Sequence, residues 1–176
     1  MKYTALHSFD YRQQVIKQLS DQVSAERPLS FRHQLVDQWY ELHHPEQTAA
    51  PMVVPFATIR DDFPPNLEDL RIQHVLLAFV RAEGRSFEVA DAQLLFTPQG
   101  ETASVGGISG GSVDGVISTR RGNANGWTPL IGRSPVGDWQ LTLPNTEEVK
   151  THFKNGDLED ILLVITYAGR TPAWPA

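Results

Sequence analysis

From residue 51 onward, apolar runs of strand length follow one another with Pro, Gly and Asn between them, and no repeating strand–helix alternation intervenes. That pattern excludes a doubly wound parallel sheet. It predicts a mainly β protein, an antiparallel β-sandwich of jelly-roll-like kind. "PMVVPFATI" (51–59) is apolar, β-branched and interrupted by Pro55, which suits an edge strand. "RIQHVLLAFVR" (71–81) and "FEVADAQLLFT" (87–97) read as two strands joined by the hairpin-like link "AEGRS". "SVDGVIST" (112–119) is a weaker strand. "DWQLTLP" (138–144) alternates, with Trp139, Leu141 and Leu143 on one face and Gln140 and Thr142 on the other. "DILLVITYA" (160–168) is apolar on both faces, as a central strand is. A short helix over 146–156 precedes it, with Thr146 as its cap, Glu147 and Glu148 in the first turn and Gly156 at its stop.

The first third of the chain reads differently. Residues 10–25 predict a helix, with Val15, Ile16, Leu19 and Val23 on one stripe, Asp10 capping its start and Pro28 ending it. The expected division is a helical segment, 1–28, followed by the sandwich, 29–176. A second helix is expected from a cap at Ser30 to about His44, ahead of Pro45. Its stretch "FRHQLVDQWYELHHPE" (31–46) invites a metal or acid–base reading. Yet Phe31, Leu35, Trp39 and Leu42 fall within an arc of about 80°, and His33, Asp37, Glu41 and His44 lie roughly opposite. The polar stripe extends along about 16 Å of helix, too far for one ion to collect donors about 2 Å away. A solvated helix face is the reading, with no metal site.

Composition narrows the function. The 176 residues carry net charge −6 and no cysteine, which removes disulfides, thiol catalysis and thiolate metal sites. The densest basic spot is Arg120-Arg121, far short of a stripe that tracks phosphates, so no nucleic-acid partner is expected. The longest apolar runs, near Val75–Val80 and Ile161–Ile165, are too short to span a membrane. The start "MKYTALHSFDYRQQ" has no apolar signal-peptide core. Synthesis in the cytoplasm is expected, with any secretion by a route that needs no classical signal.

The remaining motifs are weighed by their chemistry. "GETASVGGISGGSVDG" (100–115) lacks the Gly-Lys-Ser/Thr of a phosphate loop and reads as a long surface loop or a bulged edge. "GISGGS" lacks nucleophile-elbow spacing. The pairs Asp61-Asp62 and Glu68-Asp69, flanking "FPPN", read as solvated acids. No catalytic residue, cofactor or metal ligand is assigned. The best binding candidate is the turn-rich "RRGNANGWTP" (120–129), with Arg120, Arg121, Asn123, Asn125 and Trp127. An exposed Trp beside amides suits a protein hot spot or a sugar ring; an indole folded back to cap one end of the sandwich fits the same pattern.

The order of certain residues adds a resemblance. "LSFRHQLVDQWYELHHPE", "DDFPPNLEDLRIQHVLLAFVR", "GDWQLTLP" and "GDLEDILLVITYAGR" resemble the C-terminal part of the A subunit of Tc insecticidal toxin complexes and their neuraminidase-like relatives. The matched positions are Arg71, Ile72 and Val75; Trp139, Leu141 and Leu143; and Leu158, Asp160, Ile161 and Tyr167, within residues 29 to 170. The resemblance implies a β-sandwich and a non-enzymatic role, a platform that follows the helical pore and on which the B–C cocoon docks. The shell and pore are not in this chain, which fits either an excised domain or a small protein reusing the module. A toxin-complex protein is then the expected partner, and the helix at 10–25 an expected homo-oligomer contact. A carbohydrate-binding module using the same 120–129 loop is the alternative.

Overall fold

The computed structural model describes residues 22–172. Among the described residues, eight strands divide between two antiparallel sheets: β1 (Val23–Ser30), β2 (Val53–Thr58), β3 (Glu68–Arg81), β4 (Gln93–Pro98), β5 (Val105–Ile108), β6 (Val116–Ser118), β7 (Gly137–Thr142) and β8 (Leu158–Arg170). Sheet A has the order β1-β8-β3-β6 and sheet B the order β2-β7-β4-β5. Two interleaved four-stranded sheets of this order make a jelly roll, so the expected fold class is the observed one. The β7 alternation holds: Trp139, Leu141 and Leu143 are buried, while Asp138 and Gln140 are exposed. Strand β8 is central, between β1 and β3.

Two expectations about connectivity are corrected. Strands 71–81 and 87–97 form no hairpin, because β3 belongs to sheet A and β4 to sheet B. Residues 87–92 are not strand; serine hydroxyls from the Gly-rich segment take their amides instead, Ser112 Oγ from Val89 N at 2.9 Å and Ser109 Oγ from Ala92 N at 3.0 Å. Among the described strands, only β4 and β5 are consecutive neighbours in one sheet. The helix expected over 10–25 lies outside the described residues up to Asp21, and its end is wrong. Val23 opens β1, which pairs with β8 from Val23↔Gly169 to Ser30↔Leu162. Pro28, expected as a helix stop, sits within this strand opposite Val164, and the expected 28/29 division falls inside it. An edge strand tolerates Pro because the missing N–H belongs to the unpaired side.

The second expected helix is broken in two. Ser30 does cap it, accepting from His33 N at 3.2 Å, but Leu35 (φ −118°, ψ 59°) separates α1 (Phe31–Gln34) from α2 (Val36–His43). The break lets both halves reach the core. Phe31 meets Phe56 edge-on, with ring centroids 5.7 Å apart. Trp39 meets Phe153 of α3 (Glu147–Lys154) at 6.0 Å. Asp160 binds this entry to β8: its carboxylate accepts from Ser30 Oγ at 2.5 Å, Arg32 N at 3.0 Å and Ile161 N at 2.8 Å. The caps predicted for α3 are present, Thr146 accepting from Val149 N at 3.3 Å and Gly156 adopting φ +70°.

Between the sheets, Trp139 packs on Phe96 at 4.2 Å and parallel to Phe56 at 6.0 Å, and its Nε1 donates to Thr58 Oγ1 at 2.9 Å. The indole thereby buries its ring without leaving a polar atom unpaired. The sheet edges are blunted. Pro55 lies within β2, and Gln38 Nε2 of α2 donates to its carbonyl at 3.1 Å. Strand β6 is only three residues long. A 3-10 segment, Asn125–Leu130, lies along β5 so closely that a Cβ on Gly126 would sit 2.2 Å from Ile108 O.

Leu163 is fully buried between these layers. Leu163→Ala is expected to lower unfolding free energy by about 2–5 kcal/mol, through lost burial and the cavity left behind. Urea denaturation followed by tryptophan fluorescence measures it.

Candidate functional site

The binding loop proposed from sequence leaves β6 and returns through the 3-10 segment to β7. The structure separates its five residues into two groups. Arg120 and Arg121 are exposed on a tight turn, with Arg120 N donating to Ser118 Oγ and Arg121 N to Ser118 O, both at 3.1 Å. Asn125 is also exposed, its carbonyl accepting from Thr128 Oγ1 at 2.8 Å. These three side chains are available to a partner.

Asn123 and Trp127 serve the fold. Asn123 Oδ1 accepts from Ser118 N at 3.0 Å, Nδ2 donates to Val116 O at 2.9 Å and Gly111 O at 3.0 Å, and its own carbonyl accepts from Gly110 N at 2.8 Å. One amide thus ties β6 to the Gly-rich segment. Trp127 has no exposed surface and belongs to the main core. Of the two placements the loop allowed, the indole takes the inward one, and a ring with no free face offers no platform to a sugar. Its Nε1 makes no hydrogen bond. An alternating strand reveals its inward residues; a Gly/Asn-rich loop has no periodicity from which the direction of Trp127 follows.

His74 on β3 was not singled out in the sequence, where it is one polar residue in an apolar run. Its Nδ1 lies 3.3 Å from Thr119 Oγ1, which also accepts from Val75 N at 3.1 Å. Burial lowers the His74 pKa from its ordinary value, and the positive charge of Arg120 lowers it further.

The other candidates resolve into structure. His33, Asp37 and Glu41 are exposed, and His44 stacks on Tyr40 at 4.1 Å. Asp62 caps a 3-10 turn through Ile59 N at 2.8 Å and meets Arg27 at 3.3 Å; Asp69 pairs with Arg71 at 2.9 Å. The Gly-rich stretch supplies strand β5 and the buried hydroxyls of Ser109 and Ser112. Ser112 Oγ donates to Glu88, which also accepts from Gly115 N at 3.1 Å. The Glu88 pKa is lowered: burial pushes it up, but these hydrogen bonds and Arg81 outweigh that. Among the described residues, no three His, Cys, Asp or Glu side chains converge as a metal site requires, and no helix is long and apolar enough to cross a membrane.

Two solved structures match this chain. A chain of the cryo-EM structure of Yersinia pseudotuberculosis TcaA-TcaB matches with a TM-score of 0.54 and 18% identity, over 94% of this chain and 11% of that one. A chain of Morganella morganii TcdA4 matches with a TM-score of 0.48 and 18% identity, over 94% of this chain and 8% of that one. The chain thus spans about a tenth of the length of these proteins. At such identity the TcaA-TcaB likeness is one of fold, and it agrees with the Tc toxin resemblance drawn from the sequence. No family model matches the chain, and no curated protein matches it by sequence.

Two outcomes are expected. Trp127→Ala should cost about 3–5 kcal/mol of stability, the usual penalty for emptying a buried aromatic site, measured by thermal and urea unfolding. Acid should also loosen the fold through His74. The unfolded chain takes up this proton near pH 6.5, whereas the folded chain takes it up only at lower pH. Stability is intact above that value and falls as pH drops from it through the folded pKa. An NMR titration of His74 should show the lowered pKa, and Arg120→Ala should move it back up.

Proposed function

We propose that the chain is a non-enzymatic docking module of a Tc-type toxin assembly, which recruits a protein partner through the end of the sandwich that carries residues 118–126. The observation that carries this reading is the fold likeness to TcaA-TcaB over 94% of the chain.

Arg120, Arg121 and Asn125 form the contact in this reading. The two arginines are a local positive point on a chain of net charge −6, so the facing surface of the partner is acidic. Exposed rim charges set association rate and orientation more than total affinity. Asn123 and Trp127 hold the loop in place beneath them.

The test is binding of the full chain to a purified B–C complex of a Tc toxin, by biolayer interferometry at two salt concentrations. The doubly charge-reversed variant, Arg120→Glu with Arg121→Glu, should bind about tenfold or more weakly, mainly through slower association. Absence of binding by the unaltered chain defeats the proposal. Equal binding by the reversed variant moves the contact away from this loop.

A further inference from the structure

We propose that the cleft where the start of β3 meets the end of β8 binds a small ligand carrying an oxyanion, held by Arg71 and Arg170. The pairing of these two strands shifts register between Glu68 and Arg71. Asp69 stands in that bulge with a left-handed backbone, φ +50°, a strained conformation for most residues other than glycine. Bulges re-aim side chains and are frequent beside functional sites, and backbone strain concentrates at such sites too. The bulge borders a cavity of about 520 Å³, lined by Asp69, Arg71, Ala168, Gly169 and Arg170 among others. That volume lies within the roughly 300–1,000 Å³ of small-ligand sites.

The register puts both guanidinium groups on one face. Ile72 and Tyr167 are paired and buried, so they point into the sandwich. Arg71, its partner Ala168, and Arg170 occupy the alternate, outward positions. Diagonal neighbours on a sheet face stand about 7–8 Å apart, close enough for two long side chains to meet on one anion. Ala168 and Gly169 are small and buried, so they leave the floor between the arginines clear.

The ligand chemistry follows from what the arginines hold now. Asp69 Oδ1 lies 2.9 Å from Arg71 Nη2, and both side chains are about half exposed. Arg71 thus already carries a carboxylate on one edge, and a guanidinium has five donors in a planar fork. Arg170 is exposed. Glu68 stands opposite it in the register, yet among the described residues Arg170 makes no ion pair. The lining therefore carries two positive groups against one negative. The fork matches the paired oxygens of a carboxylate or a phosphate. Asp69 is the placeholder that such a ligand displaces from Arg71. This site is independent of the contact at 118–126.

The test titrates the full, isotope-labelled chain with inorganic phosphate and, separately, with malonate. NMR follows the arginine Nε–H and backbone amide signals, with chloride at matched ionic strength as the control. Saturable shifts at Arg71, Gly169 and Arg170 are expected with at least one of the two oxyanions and not with chloride. Saturation by malonate alone assigns the site to carboxylates, and by phosphate alone to phosphates. Arg170→Gln should weaken binding about tenfold, as loss of a hydrogen bond to a charged group does. Asp69→Asn keeps a side chain that tolerates the left-handed backbone and removes the competing charge. It should tighten binding by about two- to fivefold, the range of an exposed ion pair. Lys154→Gln, the same loss of charge as Arg170→Gln but on α3, should leave binding unchanged. The absence of saturable shifts with either oxyanion overturns the proposal. Unchanged affinity in Arg170→Gln does so too, as does equal weakening by Lys154→Gln. The amide spectrum checks the fold of each variant; should Arg170→Gln disturb it, Arg71→Gln, with the same expected weakening, replaces it.

Discussion

The pairing of β3 with β8 is the constraint on which the other elements depend. The two strands are the longest of the described ones and run antiparallel from Glu68↔Arg170 to Arg81↔Leu158. Each has a further partner, β6 on one side and β1 on the other. Their inward side chains face the Trp139, Phe96 and Phe56 rings of sheet B across the core. The 76 residues 82–157 separate the two strands in sequence, so this pair closes a long loop. Such non-local pairing makes folding slow relative to helical proteins of similar size.

Asp160 shows how one polar residue couples a strand to a helix. It stands near the start of β8, and its carboxylate gathers a hydroxyl and two amides around the junction of β1 and α1. Charge-assisted bonds to backbone amides are stronger than neutral ones. The aspartate at this place in "LEDILL" therefore has a structural account, and no catalytic role is needed to explain it.

Legibility from sequence followed the regularity of each element. Strand β7 was readable because its alternation matches one buried and one wet face. Helix α3 was readable from its caps, and β8 from apolar residues on both faces. Strand β1 was not: "QVSAERP" has helical composition and a proline where a helix would stop, and its extended form comes from pairing with β8, which tertiary context imposes over local preference. The crossing between β3 and β4 was missed because a link containing Gly84 looks the same whether the chain turns back or changes sheet. At the candidate site, the exposure of Arg120 and Arg121 follows from charge alone. The inward turn of Trp127 and the bonding role of Asn123 depend on contacts with β5 and β6 that no local pattern encodes.

The adjacency of β1 and β8 has a mechanical consequence. Val23, where β1 begins, stands opposite Gly169, near the end of β8. A force pulling these two points apart loads the cross-strand hydrogen bonds one at a time, from the open end inward, as a zipper opens. It does not load them together in shear. Tension applied along the backbone would thus peel β1 away first, starting at Val23↔Gly169, while the β3–β8 ladder behind it is still intact.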